Sequence, residues 1–193
     1  MRFFLVLIST LVVFGFSPTS AAALLRFNAQ LSGLQEVPPS ATPGTGNANL
    51  SFDTVAQTLT VHIEYLGLLS TVTAAHIHCC AGVGVNAPIA IGLSGFPSAT
   101  TAIYDQVFDL AQVNIYNASF LTTAGGTAAG AQSLLSNALF AENTYINIHS
   151  STFPGGELRG QLIPVPAPAT LYLFLLGMGL LSLGRMRWMR VPA

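Results

Sequence analysis

The chain has 193 residues, with six arginines, no lysine and seven acidic residues, and a formal charge of −1. Four of the arginines (Arg2, Arg185, Arg187, Arg190) lie near the ends, so residues 24–163 hold two arginines against seven acids, a formal charge of −5. An acidic stretch without lysine lacks the clustered cations that neutralise phosphates, which excludes nucleic acid as a partner.

The start reads MRFFLVLISTLVVFGFSPTSAAA: one arginine, an apolar run from Phe3 to Phe16, then small residues from Ser20 to Ala23. The run is shorter than the ~20 residues a membrane span needs. Residues 1–23 therefore read as a secretory signal peptide, with the mature chain expected to begin near Leu24. The stretch 24–163 suits one domain with its own core.

Leu24 to Leu34 alternates loosely and predicts a first strand. Gln35 to Gly46, rich in Pro, Gly, Ser and Thr, predicts a surface loop. Gly46 to Asp53 and Gln57 to Leu66 predict a hairpin turning at Thr54 to Ala56. In its second strand Val61, Ile63 and Tyr65 share one face, and His62 and Glu64 the other. Val72 to His78, Pro88 to Leu93 and Ile103 to Leu110 predict three more strands. From Thr127 to Phe140 the apolar residues Ala128, Ala131, Leu134, Leu135, Ala138 and Leu139 recur at helical spacing, which predicts one short helix. Thr144 to His149 and Glu157 to Ile163 are expected to be the last strands. Many short strands, regular turn signals and a single helix predict an all-β antiparallel sandwich or barrel.

The stretch TAAHIHCCAG places two of the four histidines and both cysteines at His76, His78, Cys79 and Cys80. Residues two apart on a strand point the same way, so His76 and His78 make a good start for a metal site. Imidazole suits Cu, Zn, Fe or Ni. His149, ending another predicted strand, is the best third ligand, and His62 a weaker fourth. Cys79 and Cys80 leave several readings open. They suit a disulfide between neighbours, thiolate ligation of a soft ion such as Cu(I), crosslinking between chains, or two small buried apolar residues. Glu36, Glu64 and Glu157 could supply a carboxylate pair, although spacing does not show that they meet. No hydrolase, P-loop or Rossmann signature is present.

The far end reads VPAPATLYLFLLGMGLLSLGRMRWMR. Val165, Pro166, Ala167, Pro168 and Ala169 precede an apolar run from Leu171 to Leu183, closed by Arg185, Arg187 and Arg190. A short apolar span with arginines at its far end is expected to stop in the membrane as a transmembrane helix, with those arginines in the cytoplasm. Residues 164–193 resemble the PEP-CTERM sorting signal of Gram-negative bacteria with exopolysaccharide. The resemblance implies removal of the tail by an exosortase-type enzyme and delivery to the cell surface, outer membrane or extracellular matrix, after a transient stay of the helix in the inner membrane.

Within the mature stretch four motifs stand in order: LSGLQEVPP (Leu31 to Pro39), AHIH (Ala75 to His78), YINIH (Tyr145 to His149) and PGGELRGQL (Pro154 to Leu162). Residues 24–163 thereby resemble the CHRD domain, an all-β extracellular domain found widely in bacterial secreted proteins. The sequence departs from that pattern at Cys79-Cys80, where Gly-Pro or similar is usual, and at Ser150, where Thr is usual. His76, His78 and His149 fall on the family's histidine positions, whereas His62 does not. Glu36, Glu157 and Arg159 fall on family positions too, and a buried Arg159–Glu36 bridge is the expected structural role, ahead of a ligand site.

The leading expectation is a non-enzymatic, secreted matrix protein with a metal-binding (Cu or Zn) or adhesive patch at His76, His78 and His149. One alternative is a copper-handling or redox protein that also uses Cys79 and Cys80. Another is a polysaccharide-acting enzyme that uses the acids.

Overall fold

The computed structural model describes residues 24–166. The expected signal peptide, most of the expected sorting motif (Ala167, Pro168, Ala169), the apolar tail and its arginines lie outside them. No helix among the described residues is long and apolar enough to cross a membrane.

Among the described residues nine strands form: β1 (Leu24–Ser32), β2 (Thr45–Asp53), β3 (Thr58–Leu66), β4 (Val72–Cys79), β5 (Ile89–Gly92), β6 (Ala102–Asp109), β7 (Thr144–Ser150), β8 (Leu158–Gln161) and β9 (Ile163–Pro164). They hydrogen-bond in the order β5-β4-β7-β8-β1-β2-β3-β6, with β9 alongside β1. Every pairing is antiparallel.

Alternation decides which side of each strand is buried. Phe27, Ala29 and Leu31 of β1 meet Ala48, Leu50 and Phe52 of β2 and Leu59, Val61, Ile63 and Tyr65 of β3 in one core. Between β2 and β3, Asp53 Oδ1 accepts the N–H groups of Val55 and Ala56, which closes the hairpin turn.

The sheet is narrowest between β8 and β1, where Ser32 pairs with Arg159 and β9 adds two further partners. On either side of that seam the strands curl over the shared core. The far edges approach each other through side chains: the Tyr65 hydroxyl donates to Pro97 O and the Tyr104 hydroxyl to Ser94 O. The result is a curled, sandwich-like sheet. Gly160 permits the seam, because a Cβ there would lie 2.5 Å from Leu31 Cδ2 and 2.6 Å from Gln30 O.

The expected helix is α2 (Ala128–Phe140), capped by Thr127, whose side chain accepts Gly130 N–H. It buries Ala131, Leu135, Ala138 and Leu139. A second helix corrects the expectation of a single one: α1 (Ala118–Thr123), capped by Asn117. It buries only Phe120, so six residues give no helical period to read.

Candidate metal centre

On β4 the core takes Ala75, Ile77 and Cys79, which turns His76 and His78 to the opposite face. On β7 the core takes Ile146 and Ile148, which turns Tyr145, Asn147 and His149 to that same opposite face. The register sets His76 beside Asn147, His78 beside Tyr145 and Ala74 beside His149. Three of the four histidines therefore meet across one strand pair.

The ring centroids of His76 and His149 are 5.0 Å apart, those of His76 and His78 5.5 Å, and those of His78 and His149 6.3 Å. One nitrogen from each ring lies within 4.8 Å of the others, and among the described residues no other histidine, cysteine or carboxylate joins the group. Nitrogens held about 2 Å from one tetrahedral ion lie roughly 3.4 Å from each other. His76 Nδ1 and His149 Nε2 are already 3.2 Å apart.

Backbone carbonyls orient two of the rings. His78 Nδ1 donates to Ala87 O (2.8 Å) and His149 Nδ1 to Pro154 O (3.0 Å). A carbonyl only accepts, so each of these rings carries its proton on Nδ1 and its lone pair on Nε2. His78 Nε2 is buried with no hydrogen-bond partner. With His149 Nε2 as acceptor, His76 Nδ1 is the donor between them. The same Nδ1 offers a lone pair once the proton moves to Nε2. Behind His78 the ring of Tyr145 stacks at 4.7 Å and 6°. The Tyr145 hydroxyl accepts Ala87 N–H, fixing the residue that orients His78.

Burial keeps the cluster uncharged. Desolvation first, then the neighbouring His149 and His78, pull the His76 pKa down to about 4. Desolvation likewise lowers His78 and His149. Neutral imidazole is the form that binds a metal ion.

The remaining residues singled out in the sequence stand elsewhere. Cys79 and Cys80 are joined by a disulfide. Cys79 is buried in the core on the far side of β4 from the histidines, so the structure does not gather the cysteines into the His76, His78 and His149 group. His62 is on the outer face of β3, between Asp105 (2.7 Å) and Glu64 (3.2 Å). Val165 N–H donates to Arg26 O.

Glu36 is buried and accepts Asn147 Nδ2 at 2.6 Å. Desolvation raises its pKa to about 7, against smaller opposing effects of Asn147 and Arg159. Arg159 is 2 % exposed, and the expected Arg159–Glu36 bridge is not a direct one. The guanidinium donates to Asn86 Oδ1 (3.0 Å) and Val85 O (2.8 Å), and its carbon lies 3.5 Å from the centre of the Tyr145 ring. Asn147, the register partner of Arg159, takes the Glu36 oxygen instead. Glu157 is turned to other donors: its Oε1 accepts the Thr42 hydroxyl (2.6 Å) and Leu69 N–H (2.7 Å). The two carboxylates thus have different partners.

Sequence reasoning missed the carbonyls of Ala87 and Pro154, which no side-chain pattern reveals. It also left Tyr145 and Asn147 without a role. Their alternation with Ile146 and Ile148 in YINIH was the available signal.

No curated protein and no solved structure matches the chain. A family match does exist: residues 27–162, well over half of the chain, match the CHRD domain. They contain all three histidines of the cluster and the whole described core. The chain belongs to the CHRD domain family.

Proposed function

We propose that this CHRD domain is a non-enzymatic extracellular module that holds one transition-metal ion, Cu or Zn, through His76, His78 and His149. One observation carries the reading. Three neutral imidazoles converge within 4.8 Å, and one of their nitrogens, His78 Nε2, is buried with nothing to bond. A buried polar atom left unpaired costs about 1–3 kcal/mol, and an ion bound there would satisfy it. Two rings are also fixed by second hydrogen bonds to carbonyls, the support that metal-ligating histidines commonly have.

The ends of the chain suggest where the module works. The N-terminal apolar run supports export. The VPAPA motif, apolar tail and arginine cluster support exosortase-type processing, with delivery to the surface or exopolysaccharide matrix of a Gram-negative bacterium.

The test is metal content of the purified full chain in mild detergent, stripped and then offered Cu or Zn. Wild type is expected to retain close to one ion, and the His76→Ala and His78→Ala variants to lose it. A Cys79→Ser/Cys80→Ser variant is expected to keep it, because Cys79 lies in the core away from the three rings. A wild-type chain that retains no ion would sink the proposal.

A further inference from the structure

The charge balance around the cluster points beyond metal retention. Three neutral imidazoles bring no charge to a divalent ion, and among the described residues no carboxylate belongs to the ligand group. Arg159 lies over Tyr145 beside His78, and Glu36 is close enough to interact with it electrostatically. Asp109 stands on the wall of a cleft of about 470 Å³ that also contains His76. Its two oxygens accept Ala111 N–H and Gln112 Nε2. With no carboxylate among its ligands, a bound ion would carry positive charge that its own ligands do not neutralise, in a half-buried site where it is weakly screened.

Zinc and copper sites with three protein ligands leave a position for an outside group. His76, His78 and His149 are only half-buried, which leaves that position a route to solvent. Resting on the metal reading above, we propose that the loaded His76–His78–His149 centre takes a carboxylate from an external ligand as its fourth ligand. The carboxylate oxygen is a lone-pair donor that also supplies the missing negative charge. Residues 24–163 carry a formal charge of −5 and only two arginines, so without the ion they repel an acidic ligand. Carboxylate binding should therefore depend wholly on the metal.

The test uses the full chain in mild detergent, loaded with Co(II) as a coloured substitute for zinc and titrated with sodium glucuronate at fixed ionic strength. Glucose serves as the uncharged control. The expected result is a saturable change in the Co(II) visible spectrum with glucuronate, with a midpoint in the ~1 mM range. Glucose should give no change, and excess acetate should compete. A spectrum that glucuronate leaves unchanged, in a chain shown to hold one Co(II), would overturn the proposal and leave the metal reading standing. A chain that holds no Co(II), Zn or Cu would overturn both.

Discussion

At one end of the polar face shared by β4, β7 and β8, one nitrogen from each of His76, His78 and His149 converges within 4.8 Å, and His78 Nε2 has no partner. At the other end Glu36, Asn147, Arg159 and Asn86 form a network in which each group has found a hydrogen bond. Both ends are built from buried or half-buried titratable groups on family-motif positions, so position and burial do not separate their roles. What separates them is the state of the polar atoms. A satisfied network holds segments together, here the loop after β1, the loop after β4 and the β7–β8 pair. A convergent set of neutral lone pairs has unused bonding capacity. Glu157 shows where this contrast stops: its Oε2 is also buried and unpaired, but among the described residues it belongs to no convergent group of three ligands.

The largest expected effect is at the histidine end. His149→Ala removes one of three ligands and is expected to weaken zinc binding about 10³-fold, or about 4 kcal/mol. Titration against a competing chelator measures it. Glu36→Gln should change the same affinity by less than about tenfold. If the two variants weaken binding equally, the functional distinction between the two ends fails.

Next in size is a variant where the two ends touch. Gly156 has φ +135, and a Cβ there would lie 2.5 Å from Glu36 Oε1. Gly156→Ala therefore combines a backbone conformation reserved for glycine with a clash against a buried carboxyl, and should cost about 2–3 kcal/mol in urea denaturation. The same loop also carries Pro154, whose carbonyl orients His149. A weaker metal affinity should accompany the lost stability.

How much of this was legible in the sequence follows from the same contrast. Strand alternation is a local signal, so the hairpin 46–66, the faces of Val61, Ile63 and Tyr65, and the like-facing His76 and His78 could all be read from residue order. The β4–β7 neighbour relation that brings in His149 is not local. Spacing alone left it open, and the ordered motifs suggested it. Helix α1 was invisible because six residues with one buried side chain have no period. The Arg159–Glu36 bridge was misread because residue charge suggests a partner but not what stands between. Asn147 and the loop at Val85 and Asn86 take the two groups instead. Cys79 seemed to belong with His78 by adjacency, although successive strand residues point to opposite faces.

Acid–base behaviour should separate the two ends more finely. The Glu36 pKa is raised from 4.5 to about 7, so its contribution to stability is fully present below 4.5 and is lost as pH rises through about 7. The His76 pKa is lowered from 6.5 to about 4, so its contribution is present above 6.5 and is lost as pH falls through about 4. These windows overlap between about pH 4.5 and 6.5, so in the metal-free protein the two slopes largely cancel there, leaving a small acid limb below and a small alkaline limb above. Glu36→Gln should remove only the alkaline limb, gaining about 1–3 kcal/mol over wild type at pH 8 and little at pH 5. Urea unfolding across pH measures both limbs. An unchanged alkaline limb in Glu36→Gln would assign that limb to another group.

The smallest effect is expected at His62, and it sharpens the comparison because His62 is a histidine with carboxylate neighbours but without convergence. It is partly exposed on the outer face of β3, bonded to Asp105 at 2.7 Å and Glu64 at 3.2 Å, and the Asp105 contact is the largest cause of its raised pKa. A raised histidine pKa contributes below its unfolded value and fades as pH rises through the folded one, but water and salt screen an exposed pair. His62→Gln should therefore shift stability by no more than about 0.5 kcal/mol and leave metal content unchanged. Thermal melts and metal analysis on one preparation check both. If His62→Gln lost the ion while His149→Ala kept it, the site would have to move to the outer face, and convergence of neutral imidazoles would no longer mark it.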